Sequence, residues 1–337
     1  MQEIINILSK EFDRKPKHIE NVIEMLDKGD TVPFIARYRK ELTGSMDDQL
    51  LREVAQRLGY LRNLKERKEE VISSIKKLDK LTKELEEEIY NANTLSEVED
   101  LYRPYKPKRK TRASIAKEKG LEPLSDIILS QEADLEDIKI IAKDYVSEEK
   151  GVNNEDEAIK GALDIIAENI SDNANIRKEL KKLIRNKGKI ISKNTKDEDS
   201  VYQTYYEFSE SVKRLQGHKV LALNRGEKEG FLKVTIEINK DEALNIIHKY
   251  IIKNTKSSAY KYLEETCIDA FDRLIFPSIE REIRSDLTES ANESAIKTFA
   301  TNLKQLLMQP PVKNKVTLGL DPAYRTGCKI AVVDGTG

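Results

Sequence analysis

The chain has 337 residues, 59 Lys and Arg against 60 Asp and Glu, a formal net charge of −1 and 35% charged residues. That length accommodates two or three domains with a sizeable core, and the near-neutral balance excludes polyanion binding by bulk charge, so any such role rests on local clustering. Aromatics at 6%, 14 Gly and no Trp suit long helices rather than a sandwich or barrel, and no apolar run reaches the ~20 residues of a membrane span.

Met1–Lys10 carries Glu3 and lacks a basic start followed by an apolar core, so it is not read as a signal peptide. Ile4, Ile5, Leu8 and Phe12 recur at helical spacing, and Pro16 suits the first turn of a second helix with Ile19, Val22, Ile23 and Leu26. Thr31–Gly44 follows, an apolar start leading into Arg37, Tyr38, Arg39 and Lys40. Short helices of this kind fit a helix-turn-helix and equally a small bundle of any purpose. From Met46 to about Leu78 a long helix is expected, with Leu50, Val54, Leu58, Leu61, Leu64, Val71, Ile75 and Leu78 forming one apolar stripe. Arg62, Lys65, Arg67 and Lys68 crowd its middle, as a solvated face or a binding patch. A helix over Thr82–Asn91 comes next, and Thr94-Leu-Ser-Glu97 has the form of a capping box.

Arg103–Arg112 carries Arg103, Lys106, Lys108, Arg109, Lys110 and Arg112, six basic residues in ten positions with no acid, and Tyr102 and Tyr105 are interleaved with them. Pro104 and Pro107 withhold backbone donors and disfavour αR before them, which predicts an extended strip. Such a strip can track phosphates and offer rings to bases. It reads equally as a solvated loop whose prolines position two helices. Ser114–Lys119 is expected to be helical, with Gly120 as its stop. Gln131–Glu157 reverses the charge, with ten acids against Lys139, Lys143 and Lys150. It reads as the outer surface of two helices or as an acidic flap over the basic strip. Helices are expected over Ala158–Ile170 and Ile176–Arg185.

Ser192–Ser200 reads as a polar linker. Lys219–Asn224 and Phe231–Ile238 are strand-like, which predicts a hairpin over 219–238 closed by the loop Arg225–Gly230. Asp241 restarts helix, Ala259–Phe276 has an apolar face, and Pro277 is expected to open a further helix reaching about Met308. Val316–Leu320 and Cys328–Val333 then read as two strands with Asp321 at the end of the first. A third strand is missing, as if a domain were cut. Cys267 and Cys328 have no metal-type spacing, which points to a reduced, cytoplasmic setting. No phosphate loop, dinucleotide motif, Ser/His/Asp set or Cys/His set is present, so neither catalysis nor a cofactor or metal is expected.

Four stretches, Thr31–Gly44 (TVPFIARYRKELTG), Glu99–Leu124 (EDLYRPYKPKRKTRASIAKEKGLEPL), Gly217–Val234 (GHKVLALNRGEKEGFLKV) and Leu318–Val333 (LGLDPAYRTGCKIAVV), carry a resemblance that runs over essentially the whole chain. The chain resembles the N-terminal half of the bacterial Tex family of transcription accessory proteins. The resemblance implies a predominantly helical, nucleic-acid-binding factor related to a eukaryotic transcription elongation factor. It implies a continuation into an RNase H-like domain of the YqgF type, helix-hairpin-helix repeats and an S1 RNA-binding domain, none of them complete here. Where the family pattern has Asp-Pro-Gly-Tyr-Arg-Thr-Gly, Ala323 stands in the glycine's place, a strained choice if that turn needs positive φ.

The expected fold is all-α and multi-helical, with a small β-hairpin and a truncated RNase H-like β-hairpin at the C-terminus. The expected domains are 1–195, 196–314 and 315–337. The leading functional reading is a non-catalytic part of a transcription factor that binds RNA or DNA through Arg37, Arg39, Lys40, Tyr102, Arg103, Tyr105, Lys106, Lys108, Arg109, Lys110 and Arg112. A helical scaffold for a protein such as RNA polymerase stands beside it. So does part of an RNase H-like nuclease, with Asp321 as the vestige of a two-metal site that needs several carboxylates.

Overall fold

The computed structural model describes residues 1–107, 110–196, 198–310, 314–322 and 327–336. Helices α1 (Gln2–Glu11), α2 (Pro16–Asp27), α3 (Val32–Tyr38), α4 (Lys40–Thr43), α5 (Asp48–Lys76), α6 (Lys83–Asn91) and α7 (Leu95–Tyr102) come first. Then follow α8 (Arg112–Glu118), α9 (Glu122–Ser130), α10 (Ile138–Ala142), α11 (Glu155–Asp172), α12 (Ala174–Lys187), β1 (Lys189–Asn194) and β2 (Glu207–Ser211). The remainder is α13 (Gly217–Lys228), β3 (Leu232–Glu237), α14 (Lys240–Ile251), α15 (Tyr260–Asp269), α16 (Phe276–Leu307), β4 (Thr317–Asp321) and β5 (Lys329–Val333). The fold is thus mostly α, with one three-stranded and one two-stranded antiparallel sheet. Among the described residues no helix is long and apolar enough to cross a membrane.

Two compact units emerge, Met1–Lys182 with Lys240–Pro277, and Leu183–Asn239 with Ser278–Gly337. The first is built along α5. Asp47 caps that helix by accepting the Leu50 N–H at 2.8 Å, and its 29 residues extend about 44 Å. Leu51, Val54, Leu58 and Leu61 face one core with α1, α2 and α3, and Leu64, Val71, Ile72 and Ile75 face a second with α6 and α7. The cations in the middle of α5 are engaged locally. Arg62 forms a two-pronged pair with Asp27 at 2.7 and 2.8 Å, which holds the Asp27 carboxyl below its usual range. Arg67 pairs with Glu99 and Glu70, and Lys68 donates to the Tyr90 carbonyl.

Capping proceeds largely as the side chains dictate. Thr94 accepts the Glu97 N–H, but the Glu97 carboxylate reaches the Asn93 N–H, one residue before the position a reciprocal box requires. Helix α11 lies against α8, α9, α10 and α15, burying Ala158, Ala162, Ile165 and Ile166. One buried charge cluster ties α7 to α12. The Asp100 carboxylate accepts from Arg177 Nε at 2.7 Å and from Lys181 Nζ at 2.5 Å, and Lys181 also donates to Ser96 Oγ. Arg177 and Lys181 lie four residues apart on one face of α12, and all three charged residues are buried.

The segment after α13 and β3 returns to the first unit through Gln131. This buried residue has φ +53°, and its amide donates to the Ile251 carbonyl and accepts from the N–H groups of Lys253 and Asn254. Asn254 in turn donates to the Gln131 carbonyl at 3.2 Å. The helix expected to open at Pro277 is present as α16, but the chain does not break between α15 and this helix. A π-helical turn, Ala270–Ile275, joins the two. Proline has no N–H for the carbonyl four residues back and crowds it, so a wider turn is the local solution.

In the second unit the hairpin expected over 219–238 is corrected. Gly217–Lys228 is helix α13, with Val220, Leu223 and Gly226 buried at a spacing of three. Only β3 alternates, burying Leu232, Val234 and Ile236, and it pairs with β1 in the order β2-β1-β3. Ser192–Asn194, expected as linker, therefore belongs to the central strand. Gly226 serves close packing: a Cβ there would lie 2.5 Å from Leu232 Cδ1, so α13 can sit directly on β3. Arg284 of α16 binds Glu227 and the Val234 carbonyl. Strand β4 pairs with β5 in register Leu318↔Val332 and Leu320↔Ile330, and those four apolar side chains are exposed. Ala323 lies outside the described residues.

Three outcomes are expected from this packing. Leu61→Ala removes a buried side chain from the α5 seam and should destabilise by about 2–5 kcal/mol in urea denaturation. Asp100→Ala leaves two cations buried without their carboxylate and should cost about 3–5 kcal/mol, read the same way. Burial pushes the Cys267 thiol up to about 12, whereas Cys328 is exposed. A thiolate-selective reagent at mildly alkaline pH should therefore modify Cys328 alone in the native chain and both thiols in denaturant.

Candidate nucleic-acid interface

Helix α3 is anchored on one side only. Ile35 is fully buried, and Val32 and Ala36 pack on the first core. Phe34, Arg37 and Tyr38 project away from that side. The end of α4 is clamped to α2, because Asn21 donates to the Leu42 carbonyl at 2.8 Å. Gly44 closes α4 at φ +66°, and a Cβ there would fall 2.2 Å from the His18 ring. The result is a firmly backed surface carrying Arg37, Arg39 and Lys40.

These three cations are exposed, and among the described residues none forms an ion pair. Beside them Phe34 is 37% and Tyr38 61% exposed, with ring centroids 5.2 Å apart and planes inclined by 47°. The Arg39 guanidinium lies 5.5 Å from the Phe34 centroid, within cation–π range. The combination of unpaired positive charge and exposed rings suits a polyanion with planar bases.

The basic strip is arranged differently. Arg103–Tyr105 forms a single 3₁₀ turn, Lys106 is extended with φ −67° and ψ 131°, and Arg112 already begins α8, so the strip is not extended throughout. Tyr102 and Tyr105 are half-buried against the second core, and Arg67 lies over the Tyr102 ring at 5.6 Å. Arg103 pairs with Asp172 at 3.2 Å, Lys106 with Glu99 at 3.4 Å and Lys110 with Glu118 at 3.6 Å. Arg112 is exposed and, among the described residues, forms no ion pair. Lys108 and Arg109 lie outside the described residues. The Glu99 carboxyl sits below its usual range: burial alone would raise it, but the hydrogen bond and charge of Arg67, with Lys106, more than offset that.

The α3–α4 cations and the strip therefore stand on different cores of the first unit. Phe34 was not singled out from the sequence, where it was part of an undivided apolar start to Thr31–Gly44. The spacing of Phe34, Arg37 and Tyr38 around a buried Ile35 is the signal that separates the two faces. Asp321 ends β4 opposite Lys329 across the strand pair, a lone carboxylate in the described part of that sheet.

Residues 2–76 match the family model for the Tex-like protein N-terminal domain, and residues 134–299 match the Tex central region-like model. The chain is 51% identical over 334 residues to YdcI of Bacillus subtilis, covering 98% of this chain and 46% of that protein. It is 39% identical over 342 residues to the transcriptional accessory protein Tex of Neisseria gonorrhoeae, covering 99% of this chain and 45% of that protein. The human S1 RNA-binding domain-containing protein 1 is 31% identical over 352 residues, covering 99% of this chain and 35% of that protein. The chain thus spans about half the length, or less, of these relatives, and it belongs to the Tex family.

Proposed function

We propose that this chain is a non-catalytic, nucleic-acid-binding part of a cytoplasmic transcription accessory factor, and that Arg37, Arg39 and Lys40 are its principal phosphate contacts. The observation that carries this reading is the set of exposed, unpaired cations on a firmly backed surface with two exposed rings. The names of the relatives support it: one is called a transcriptional accessory protein and another an S1 RNA-binding domain-containing protein. In the strip, Arg112 is the cation best placed to add to the contact, while Arg103, Lys106 and Lys110 already share acids of their own. The pairs of Lys106 and Lys110 are exposed and weak enough for phosphates to compete for those cations, whereas the Arg103–Asp172 pair is partly buried. The absence of catalysis is proposed because Asp321 supplies one carboxylate where two-metal chemistry needs several.

A second reading, a scaffold for a protein partner such as RNA polymerase, is favoured by one feature. Ile296, Phe299, Leu303 and Leu306 recur at three- and four-residue spacing on α16 and are all exposed. Salt dependence distinguishes the two. Phosphate contacts give log Kobs a steep negative slope against log salt concentration. Replacing Arg37, Arg39 and Lys40 together by Ala should flatten that slope by about 2 units for a single strand. Replacing Lys106 and Lys110 should flatten it less. A chain that binds nucleic acid with an unchanged slope after the first substitution places the phosphate contacts elsewhere.

A further inference from the structure

We propose that β2 is a docking edge, which accepts an extended, basic segment of a protein partner as an added antiparallel strand. The inference is independent of the nucleic-acid reading, since it concerns the second unit and a different chemistry.

The order β2-β1-β3 leaves the sheet with two edges, and they differ. In an antiparallel ladder a residue turns its N–H and C=O to the same side, and that side alternates along the strand. On β3 the outward groups belong to Val234 and Ile236, and side chains close them. Glu227 of α13 accepts the Val234 N–H at 3.4 Å, Arg284 of α16 donates to the Val234 carbonyl at 3.1 Å, and Glu280 accepts the Ile236 N–H at 2.6 Å. Lys233 and Thr235 therefore face Lys193 and Ile191 of β1, while Ile190 and Ser192 face Glu210 and Phe208 of β2. The Val212 N–H, bonded to the Gly188 carbonyl at 2.9 Å, keeps the same alternation. Glu207 and Ser209 are thus left with their N–H and C=O groups turned to the free edge. Both residues are exposed, and among the described residues nothing bonds to those groups.

An open row of backbone donors and acceptors is a template for another strand. Charge and pleat select what fits it. Glu207 and Ser209 project on one face of β2, and Phe208 and Glu210 on the other, where Glu210 is bound by Lys219 of α13 at 2.6 Å. The strand holds two acids and no base. Of the two, Glu207 is exposed and, among the described residues, forms no ion pair even with Lys193 opposite it on β1. Phe208 is half-buried, with the Tyr205 ring edge-on at 5.4 Å. A strand added beside β2 places one set of side chains next to Glu207 and the alternate set next to Phe208. The matching segment alternates Lys or Arg with an apolar residue.

The probe is a short fluorescein-labelled peptide that alternates lysine with valine, read by anisotropy. In the added strand the lysines stand opposite Glu207 and Ser209, so their N–H groups face β2 and those of the valines face solvent. The expected result is saturable binding that is lost when the lysine nitrogens are methylated and kept when the valine nitrogens are. A glutamate–valine peptide should bind more weakly, and Glu207→Lys should reverse that order. Ser209→Pro removes an outward N–H and spares the pairing of β2 with β1, because an edge position of this kind tolerates proline. With its circular dichroism unchanged, this variant should bind the lysine–valine peptide about tenfold more weakly.

Binding that is indifferent both to the site of methylation and to Ser209→Pro is charge attraction alone and overturns the docking edge. So does the absence of binding by the lysine–valine peptide up to about 1 mM. A dimer in sedimentation that Ser209→Pro converts to monomer, and that the peptide does not dissociate, gives the edge to a second copy of the chain and overturns the peptide as its occupant.

Discussion

The first unit depends on the carboxylate of Asp100. It sits near the C-terminal end of α7 and is held by two cations from successive turns of α12. A buried charge is tolerated only when it is paired and hydrogen-bonded, and here Arg177 and Lys181 each donate to one oxygen of the Asp100 carboxylate while Lys181 also donates to Ser96 Oγ. Hydrophobic contacts around α7 and α12 could slide by a fraction of a turn at little loss. The charge cluster cannot, because the two donors come from α12 residues about one turn apart and must converge on one carboxyl. Three residues later Arg103 binds Asp172 at the end of α11, so the close of α7 is pinned from two helices. The position of the following basic segment is inherited from that pinning.

A chain with 35% charged residues and a net charge of −1 has to dispose of its charges, and the described cations of the two basic regions differ in how many are paired. Along α5 and the strip, acids from neighbouring elements come to the cations: Asp27 to Arg62, Glu99 to Arg67 and Lys106, Asp172 to Arg103. On α3 and α4 no acid does so among the described residues. Density of basic letters alone does not report how many of those cations are already paired with acids of the same chain. What matters for a polyanion is positive charge left over after internal pairing, together with the groups standing next to it.

Much of the architecture was legible because single elements carry a strong period. The α5 stripe from Val54 to Ile75, the Pro16 helix start, the Thr94 cap and both C-terminal strands are local patterns that tertiary contacts did not override, whereas Leu78, expected in the stripe, lies past the end of α5 and is exposed. The hairpin over 219–238 was misread because Lys219–Asn224 is a short apolar run, which fits a strand and a helix equally well. Gly226 and Gly230 looked like loop residues, but only Gly230, at φ +76°, ends an element, while Gly226 lies inside α13. The strand β1 was hidden in the polar letters of Lys189–Asn194, since its pairing with both β2 and β3 depends on residues far along the chain. In the candidate site the cations were visible and Phe34 was not, because exposure of an aromatic residue depends on which face the core takes.

The fastening at Gln131 bears on how the chain comes to be folded as it is made. Gln131 is bonded to residues about 120 positions further on, and the intervening chain includes a whole segment of the second unit. During synthesis the larger N-terminal part of the first unit, Met1–Lys182, emerges with a gap where α14 and α15 belong, and α11 keeps a bare apolar flank until α15 arrives. The segment Leu183–Asn239 leaves the ribosome in that interval, before either unit has its full complement of chain. Closing so long a loop is entropically unfavourable, so the returning helices join late, and the side-chain amide of Gln131, which meets the backbone of Ile251, Lys253 and Asn254 at once, acts as the latch that completes the unit.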